Sequence, residues 1–210
     1  MDKIGIYLAA AAIGYLIGSI NFSVILSKKM AGFDLREKGS KNAGTTNMLR
    51  TVGKKGAAIV LLLDILKGVA AILLAKLISY YSDANQAIAC QIAGFTVVLG
   101  HTFPIFFGFK GGKGVATSIG ILLVLNWQIG LICLVYGVLM IVLTRMVSLG
   151  SITAAILFPV LTVFIRAHYI AEGFNYIIFG VIMAAFVLFN HRSNIKRLNA
   201  GTENRISFKK

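Results

Sequence analysis

Acidic side chains are scarce in this sequence: 210 residues hold seven Asp and Glu against 21 Lys and Arg, a formal net charge of +14. Proline and cysteine are scarcer, with two of each, and there is one tryptophan. Cys90 and Cys133 lie inside apolar runs without disulfide or metal spacing, so they read as small core residues. With three histidines and so few carboxylates, no group of side chains has the spacing of a metal site. No Ser-His-Asp order is evident, and no cofactor is implied. The glycine-lysine stretch Gly108–Thr117 is not a nucleotide-binding loop of the Walker A kind, because its spacing is wrong and Lys113 is followed by Gly114 rather than Ser or Thr. Chemistry here therefore rests on positioning and charge neutralisation more than on a strong protein base.

What is abundant is apolar sequence. The chain is 58% hydrophobic, with a mean hydropathy of +0.84, where soluble domains are less than about half apolar. The reading is an all-α integral membrane protein, a polytopic helical bundle forming a single domain over residues 1–210. Apolar segments run from Ile4 to about Leu26, Ala57 to Leu77, Gln86 to Phe107, Val115 to Leu125, Ile129 to Leu143, Leu149 to Ile165 and Asn175 to Phe189. That gives about seven transmembrane helices, or about five if the short Val115–Leu125 segment and a neighbour form a re-entrant pair. The first segment has no convincing small-residue cleavage site and reads as a retained helix.

The basic residues are sided. Lys28 to Gly56 carries eight Lys and Arg against Asp34 and Glu37, and the C-terminal tail carries Arg192, Lys196, Arg197, Arg205, Lys209 and Lys210. The connections Ser79–Asn85 and Arg166–Phe174 are nearly neutral, with Arg166 and His168 as interfacial anchors. Positive residues stay on the cytoplasmic side, which places the N-terminus outside and the C-terminus in the cytoplasm. The same charge suits anionic substrates or membrane lipid; no nucleic-acid partner is expected.

Two loops on the basic side carry binding chemistry. In Gly108–Thr117, four glycines and two lysines lie between apolar segments, and a helix starting at Val115 would add the positive end of its dipole. Lys110, Gly111, Gly112 and Lys113 thus read as a phosphate cradle or as a basic membrane-surface turn. In Gly39–Arg50, Ser40, Asn42, Thr46 and Asn47 offer small hydrogen-bonding groups, and Arg50 can fork onto a phosphate. The plainer reading of that stretch is a polar loop with a helix cap at Thr46 or Asn47. Small-residue turns at Ser148–Ser151 and Asn190–Asn194 reach the same face, so four loops suggest a site for two anionic groups. His101 is either a general base or a structural histidine bonded to backbone that Pro104 frees. Asp64 and Lys67, three apart in an apolar segment, can pair with each other. Alternative readings are a transporter of phosphorylated small molecules and a structural protein that binds anionic lipid.

Taken in order, these stretches resemble the bacterial acyl-phosphate:glycerol-3-phosphate acyltransferases, the PlsY family, over nearly the whole chain. The resemblance rests on Gly18-Ser19-Ile20, Asp34-Leu35-Arg36, Gly39-Ser40 through Arg50, and Asp64-Ile65-Leu66-Lys67-Gly68. It continues through Gly100-His101-Thr102-Phe103-Pro104, Gly111–Thr117, Ser148–Thr153 and His191–Ile195. Lys41 and Thr45 stand where the family usually has Gly and Ala, and Ser193 where it usually has an acidic residue. The His-x-x-x-x-Asp pair of many acyl-CoA acyltransferases is absent. The resemblance implies acyl transfer from acyl phosphate to the sn-1 hydroxyl of glycerol 3-phosphate, giving lysophosphatidic acid and phosphate for phospholipid synthesis. It implies a multi-pass protein of the bacterial cytoplasmic (inner) membrane with its active site facing the cytoplasm. It further implies that Ser40, Arg50, Lys113 and Ser151 hold glycerol 3-phosphate, with His191 and Asn194 nearby and Lys110, Gly111 and Gly112 completing the anion site. A substrate phosphate oxygen is expected to accept the hydroxyl proton.

Overall fold

A computed structural model describes residues 2–165 and 173–206, and its regular structure among these is helical. Arg166 and His168, assigned above as interfacial anchors, lie outside the described residues, as do Lys209 and Lys210. The helices are α1 (Lys3–Gly18), α2 (Phe22–Ala31), α3 (Thr45–Thr51), α4 (Lys54–Tyr80), α5 (Gln86–Thr102), α6 (Val115–Leu125), α7 (Trp127–Thr144), α8 (Val147–Phe164), α9 (Gly173–Asn190) and α10 (Arg192–Asn199). Two short 3₁₀ turns, Leu35–Glu37 and Ile105–Phe107, sit in the loops before α3 and after α5. The chain divides into two compact units, Met1–Leu125 and Asn126–Lys210.

Five helical segments among the described residues are long and apolar enough to cross a membrane, or six if α9 and α10, bent by 66°, count as one. α6, with 11 residues, is about 17 Å long at 1.5 Å per residue and too short to cross by itself. Its neighbour α7 starts at once, with Asn126 as its cap: the Asn126 side chain accepts from the Ile129 amide at 3.1 Å. The turn expected at Asn126–Gln128 is a single residue, Asn126, with Trp127 and Gln128 already in α7.

In the first unit, α5 packs on α1, and α4 touches α1, α5 and α6. Small residues make these approaches close. The space a side chain would need at Gly14, Gly18 and Gly100 is taken by backbone or side-chain atoms across the α1–α5 contact, and Gly68 and Gly120 do the same for α4 and α6.

The first apolar run is not one helix. It breaks at Ser19–Asn21, where the Asn21 side chain caps α2 through the Val24 amide at 3.2 Å. The carbonyls left open at the end of α1 are met from α4: Lys67 Nζ donates to Gly18 O at 3.2 Å and Ile20 O at 3.0 Å. The same ammonium lies 2.9 Å from Asp64 Oδ1, so the expected Asp64–Lys67 pair forms. His101 Nδ1 faces that carboxylate oxygen at 3.5 Å, and all three side chains are at most 5% exposed. A buried charge is tolerable when paired and hydrogen-bonded, and Lys67 meets both conditions: it is paired with Asp64 and bonded to two carbonyls.

In the second unit α8 packs on α7 and on α9. Gly150 of α8 lies against the Gly137 carbonyl of α7, and Gly180 of α9 against Pro159 of α8.

Candidate functional site

The stretch before α3 is held from within. Leu35, Met48, Ala57 and Val60 form a small buried core that seats the Leu35–Glu37 turn and α3 against α4. Asn47, 1% exposed, ties the loop to that core. Its Oδ1 accepts from the Ser40 amide at 2.9 Å, and its Nδ2 donates to Leu35 O and Lys38 O, both at 3.0 Å. Both N–H donors of this side chain, the groups a phosphate would need, are spent on the loop's own backbone. The assignment of Asn47 as a phosphate ligand is therefore corrected: it positions Ser40 and does not face outward. Nor is it the helix cap, since α3 starts at Thr45 and Gly44 occupies the cap position.

Around Asn47 the residues assigned to binding are open. Ser40 and Arg50 are exposed, and Asn42 and Thr46 are half-buried. Lys41, where a glycine was expected, has φ +58. A side chain in that left-handed region costs roughly 1–2 kcal/mol that glycine avoids.

The second loop is folded over the end of α5. The Gly111 amide donates to Thr102 O at 3.0 Å and the Gly112 amide to His101 O at 3.1 Å. These are the carbonyls that α5 leaves open before Pro104. Their donors are backbone amides of the loop, and the His101 ring turns instead to Asp64. The two amides expected to cradle an anion are thus committed to the fold. What glycine provides at these positions is room. A Cβ on Gly112 would collide with the His101 ring and lie 2.6 Å from the Ala43 carbonyl, while one on Gly111 would lie 2.7 Å from Pro104 and 2.8 Å from Thr102 O. Lys110 is exposed and Lys113 half-buried. α6 follows directly, as the sequence predicts, with the Ser118 amide bonded to Gly114 O at 2.8 Å. Its first-turn amides and positive dipole end adjoin Lys113.

Gly112 is where the two loops meet, because its backbone passes between His101 and Ala43 of the Ser40–Arg50 stretch. A second tie, missed in the sequence, is Arg36. Its Nε and Nη2 fork onto Asp34 at 3.0 and 2.8 Å, and its Nη1 donates to the Phe107 and Lys110 carbonyls. The Arg36 hydrogen bond holds the Asp34 carboxyl far below the usual carboxylate range, and the same pairing raises Arg36 further. The first unit therefore joins the Ser40–Arg50 stretch to the Lys110–Lys113 loop at Gly112, with the His101 ring of the buried Asp64–Lys67–His101 cluster against Gly112.

The remaining assigned residues belong to the second unit. Ser148–Ser151 is the first turn of α8 rather than a loop, and the Ser151 hydroxyl donates to Val147 O at 2.9 Å. His191 caps α10 at its junction with α9, its Nδ1 2.8 Å from Val187 O. Asn194 lies in the first turn of α10 and is 6% exposed. Its Nδ2 donates to Glu203 Oε1 at 3.0 Å, and Arg197 Nε to Glu203 Oε2 at 3.1 Å. The tail is fixed in turn, the Ile206 amide donating to Arg145 O at 2.8 Å. Ser193 supplies no carboxylate, so the one that orients Asn194 comes from ten residues further on. Glu203→Ala should lower the thermal midpoint in detergent more than Glu203→Gln, which keeps an acceptor for Asn194; removing a buried partner costs about 1–3 kcal/mol. Equal midpoints would show that the carboxylate does not orient α10.

Among the described residues no group of His, Cys, Asp and Glu is arranged to hold a metal ion. Residues 8–201 match the model of a family described as glycerol-3-phosphate acyltransferase. A glycerol-3-phosphate acyltransferase of Thermoanaerobacter pseudethanolicus is 47% identical over 199 residues, 95% of each chain. One of Clostridioides difficile is 41% identical over 204 residues, 97% of each chain. Among solved structures, the glycerol 3-phosphate form of PlsY, an integral membrane glycerol 3-phosphate acyltransferase, superposes with a TM-score of 0.82 at 36% identity over 96% of each chain. Its lysophosphatidic acid form gives 0.81 at 34% identity, over 96% of this chain and 95% of that one.

Proposed function

Because the chain belongs to the glycerol-3-phosphate acyltransferase family, we infer that it is a membrane-embedded enzyme that transfers a fatty acyl group to glycerol 3-phosphate in phospholipid synthesis. The observation that carries the reading onto this chain is the meeting of two loops at Gly112, where the stretch that bears Ser40 and Arg50 touches, through Ala43, a lysine-bearing loop at the start of a helix. A phosphomonoester carries about −1.5 to −2 charge near neutrality, and such a surface neutralises it without a metal.

The donor we assign is acyl phosphate. The sn-1 hydroxyl oxygen attacks the acyl carbonyl carbon, the bond from that carbon to the phosphate oxygen breaks, and lysophosphatidic acid and inorganic phosphate leave. The hydroxyl proton passes to a phosphate oxygen of the substrates, so no side-chain base is required. Two features support this: the donor is already an activated anhydride, and the ring of His101 is engaged with Asp64 below Gly112 instead of facing outward. Arg50 and Lys113 hold the glycerol 3-phosphate phosphate, Ser40 its hydroxyls, and Lys110, Asn42 and Thr46 line the anion surface that Gly111 and Gly112 shape. Ser151, His191 and Asn194 are assigned to the same reaction on the family resemblance, with residues 1–210 as one functional domain. The acyl chain of the donor lies between helices, with membrane lipid around it. The bias of Lys and Arg to the loops around residues 28–56 and to the tail supports a cytoplasmic active site on a bacterial inner membrane.

Purified protein given acyl phosphate and glycerol 3-phosphate should release inorganic phosphate in step with lysophosphatidic acid; acyl-CoA and acyl carrier protein thioester are the comparison donors. Turnover with acyl-CoA alone would sink the donor assignment. Arg50→Lys and Lys113→Arg keep the charge but not the geometry, and each should lower kcat/KM by about 10²-fold, the scale of losing one aligned charge-stabilising donor. Full activity in both would show that these cations serve only as a basic surface.

A further inference from the structure

We propose that Arg36 is a positioning residue: it braces the left-handed pair Gly108–Phe109 and so fixes the direction in which Lys110 to Lys113 leave the end of α5. The assignment rests on the reading of that loop as a glycerol 3-phosphate surface, but the brace itself is a matter of backbone geometry.

Gly108 has φ +64 and Phe109 φ +58. Glycine adopts this conformation freely; a Cβ-bearing aromatic does so only at a steric cost. Two consecutive residues of this kind reverse the chain, and without outside support the loop would relax at Phe109. Inside the loop, support comes from Pro104, whose carbonyl accepts from the Phe107 amide at 3.1 Å and the Phe109 amide at 2.9 Å. From outside it comes from Arg36. The two carbonyls that its Nη1 reaches, Phe107 O and Lys110 O, belong to the residues on either side of the left-handed pair. One planar group thus holds both ends of the reversal. The opposite edge of that group is fixed by Asp34, which accepts from Nε and Nη2 and, through Oδ1, also from the Arg36 amide at 3.0 Å. Lys28 lies 3.4 Å from Asp34 and holds the carboxylate from its other side.

With four of its five N–H donors on a carboxylate and two carbonyls, Arg36 acts on substrate through the loop. Lysine cannot substitute, because a point charge on a flexible stem cannot serve Asp34 and two separated carbonyls in one plane. The pathway from Arg36 to substrate is short: Phe107 to Lys110 is the turn, and Lys110 to Lys113 is the anion surface.

Three measurements on the full chain in detergent test this. In Arg36→Lys, hydrogen exchange should accelerate at the amides of Phe109, Gly111 and Gly112 while α1 and the body of α5 keep their protection. The KM for glycerol 3-phosphate should rise on the order of tenfold with kcat little changed, the scale of a sub-ångström misplacement. In a Phe109→Gly background, where the left-handed turn carries no side-chain cost, the same substitution should have a clearly smaller effect on KM, a coupling read by the double-mutant cycle. Unchanged loop exchange overturns the brace, as does exchange that rises equally throughout the first unit, which would mean a general loss of fold. So does an equal KM effect in both backgrounds. If wild-type protein turned over no acyl phosphate, the functional reading would fail while the exchange measurement still decided the brace.

Discussion

Gly112→Ala is expected to lower kcat/KM for glycerol 3-phosphate by about 10²-fold, the cost of a misplacement near 1 Å at a substrate-holding loop. The added methyl has no place to go. On one side it meets the His101 ring, and on the other it lies 2.6 Å from the Ala43 carbonyl, which is backbone and cannot rotate away. His101 sits buried in the last turn of α5 with its ring packed toward Asp64, so the strain is relieved by moving the loops apart. That separation pulls Lys113 away from the Ser40–Arg50 stretch. The control is Gly32→Ala: Gly32 has φ +73 and open space around it, so alanine there costs about 1–2 kcal/mol of stability and leaves KM alone. Wild-type KM in Gly112→Ala would show that the two loops do not act together.

The second large effect is on stability. Asp64→Asn should destabilise the protein by about 3–5 kcal/mol, the usual cost of breaking a buried ion pair from one side. Lys67 would keep the Gly18 and Ile20 carbonyls but lose its counter-charge in a site where its side chain is 2% exposed. Asp64→Leu combined with Lys67→Met should cost less than the sum of the two single substitutions, because the double variant buries no lone charge. Thermal unfolding in detergent measures all of these; simple additivity would show that the two side chains do not share one site.

How much of this was legible in the sequence differs by residue. The apolar runs, the short α6 and the glycine-lysine loop ahead of it follow from hydropathy and from residue types with unusual backbone freedom. The Asp64–Lys67 pair follows from helical spacing. The break at Ser19–Asn21 was hidden because its cause, Lys67, is far along the chain and no proline marks the site. Asn47 was misread for a related reason. A small polar residue in a polar loop looks available, and only burial reveals that its amide is consumed by Leu35, Lys38 and Ser40. Gly111 and Gly112 were placed in the right loop for a partly wrong reason: glycine is needed there for close passage over α5, and their amides close that helix. Arg36 and Glu203 each act at a distance in sequence, through Phe107 and Lys110 in one case and Asn194 in the other. No local pattern announces such partners.

The interruption between α1 and α2 also bears on how the protein is made. A nascent chain enters the bilayer from its N-terminus, and hydrocarbon offers no donor to the Gly18 and Ile20 carbonyls. Their partner, Lys67, is synthesised later, in the middle of α4. Until α4 inserts, the first segment is better off as one continuous helix that satisfies its own backbone. The break between α1 and α2 thus depends on α4: its open carbonyls find their donor in Lys67, and Lys67 finds its acceptors in those carbonyls and in Asp64. Biogenesis of the first hairpin is in this sense a mutual exchange between two helices that neither can complete alone.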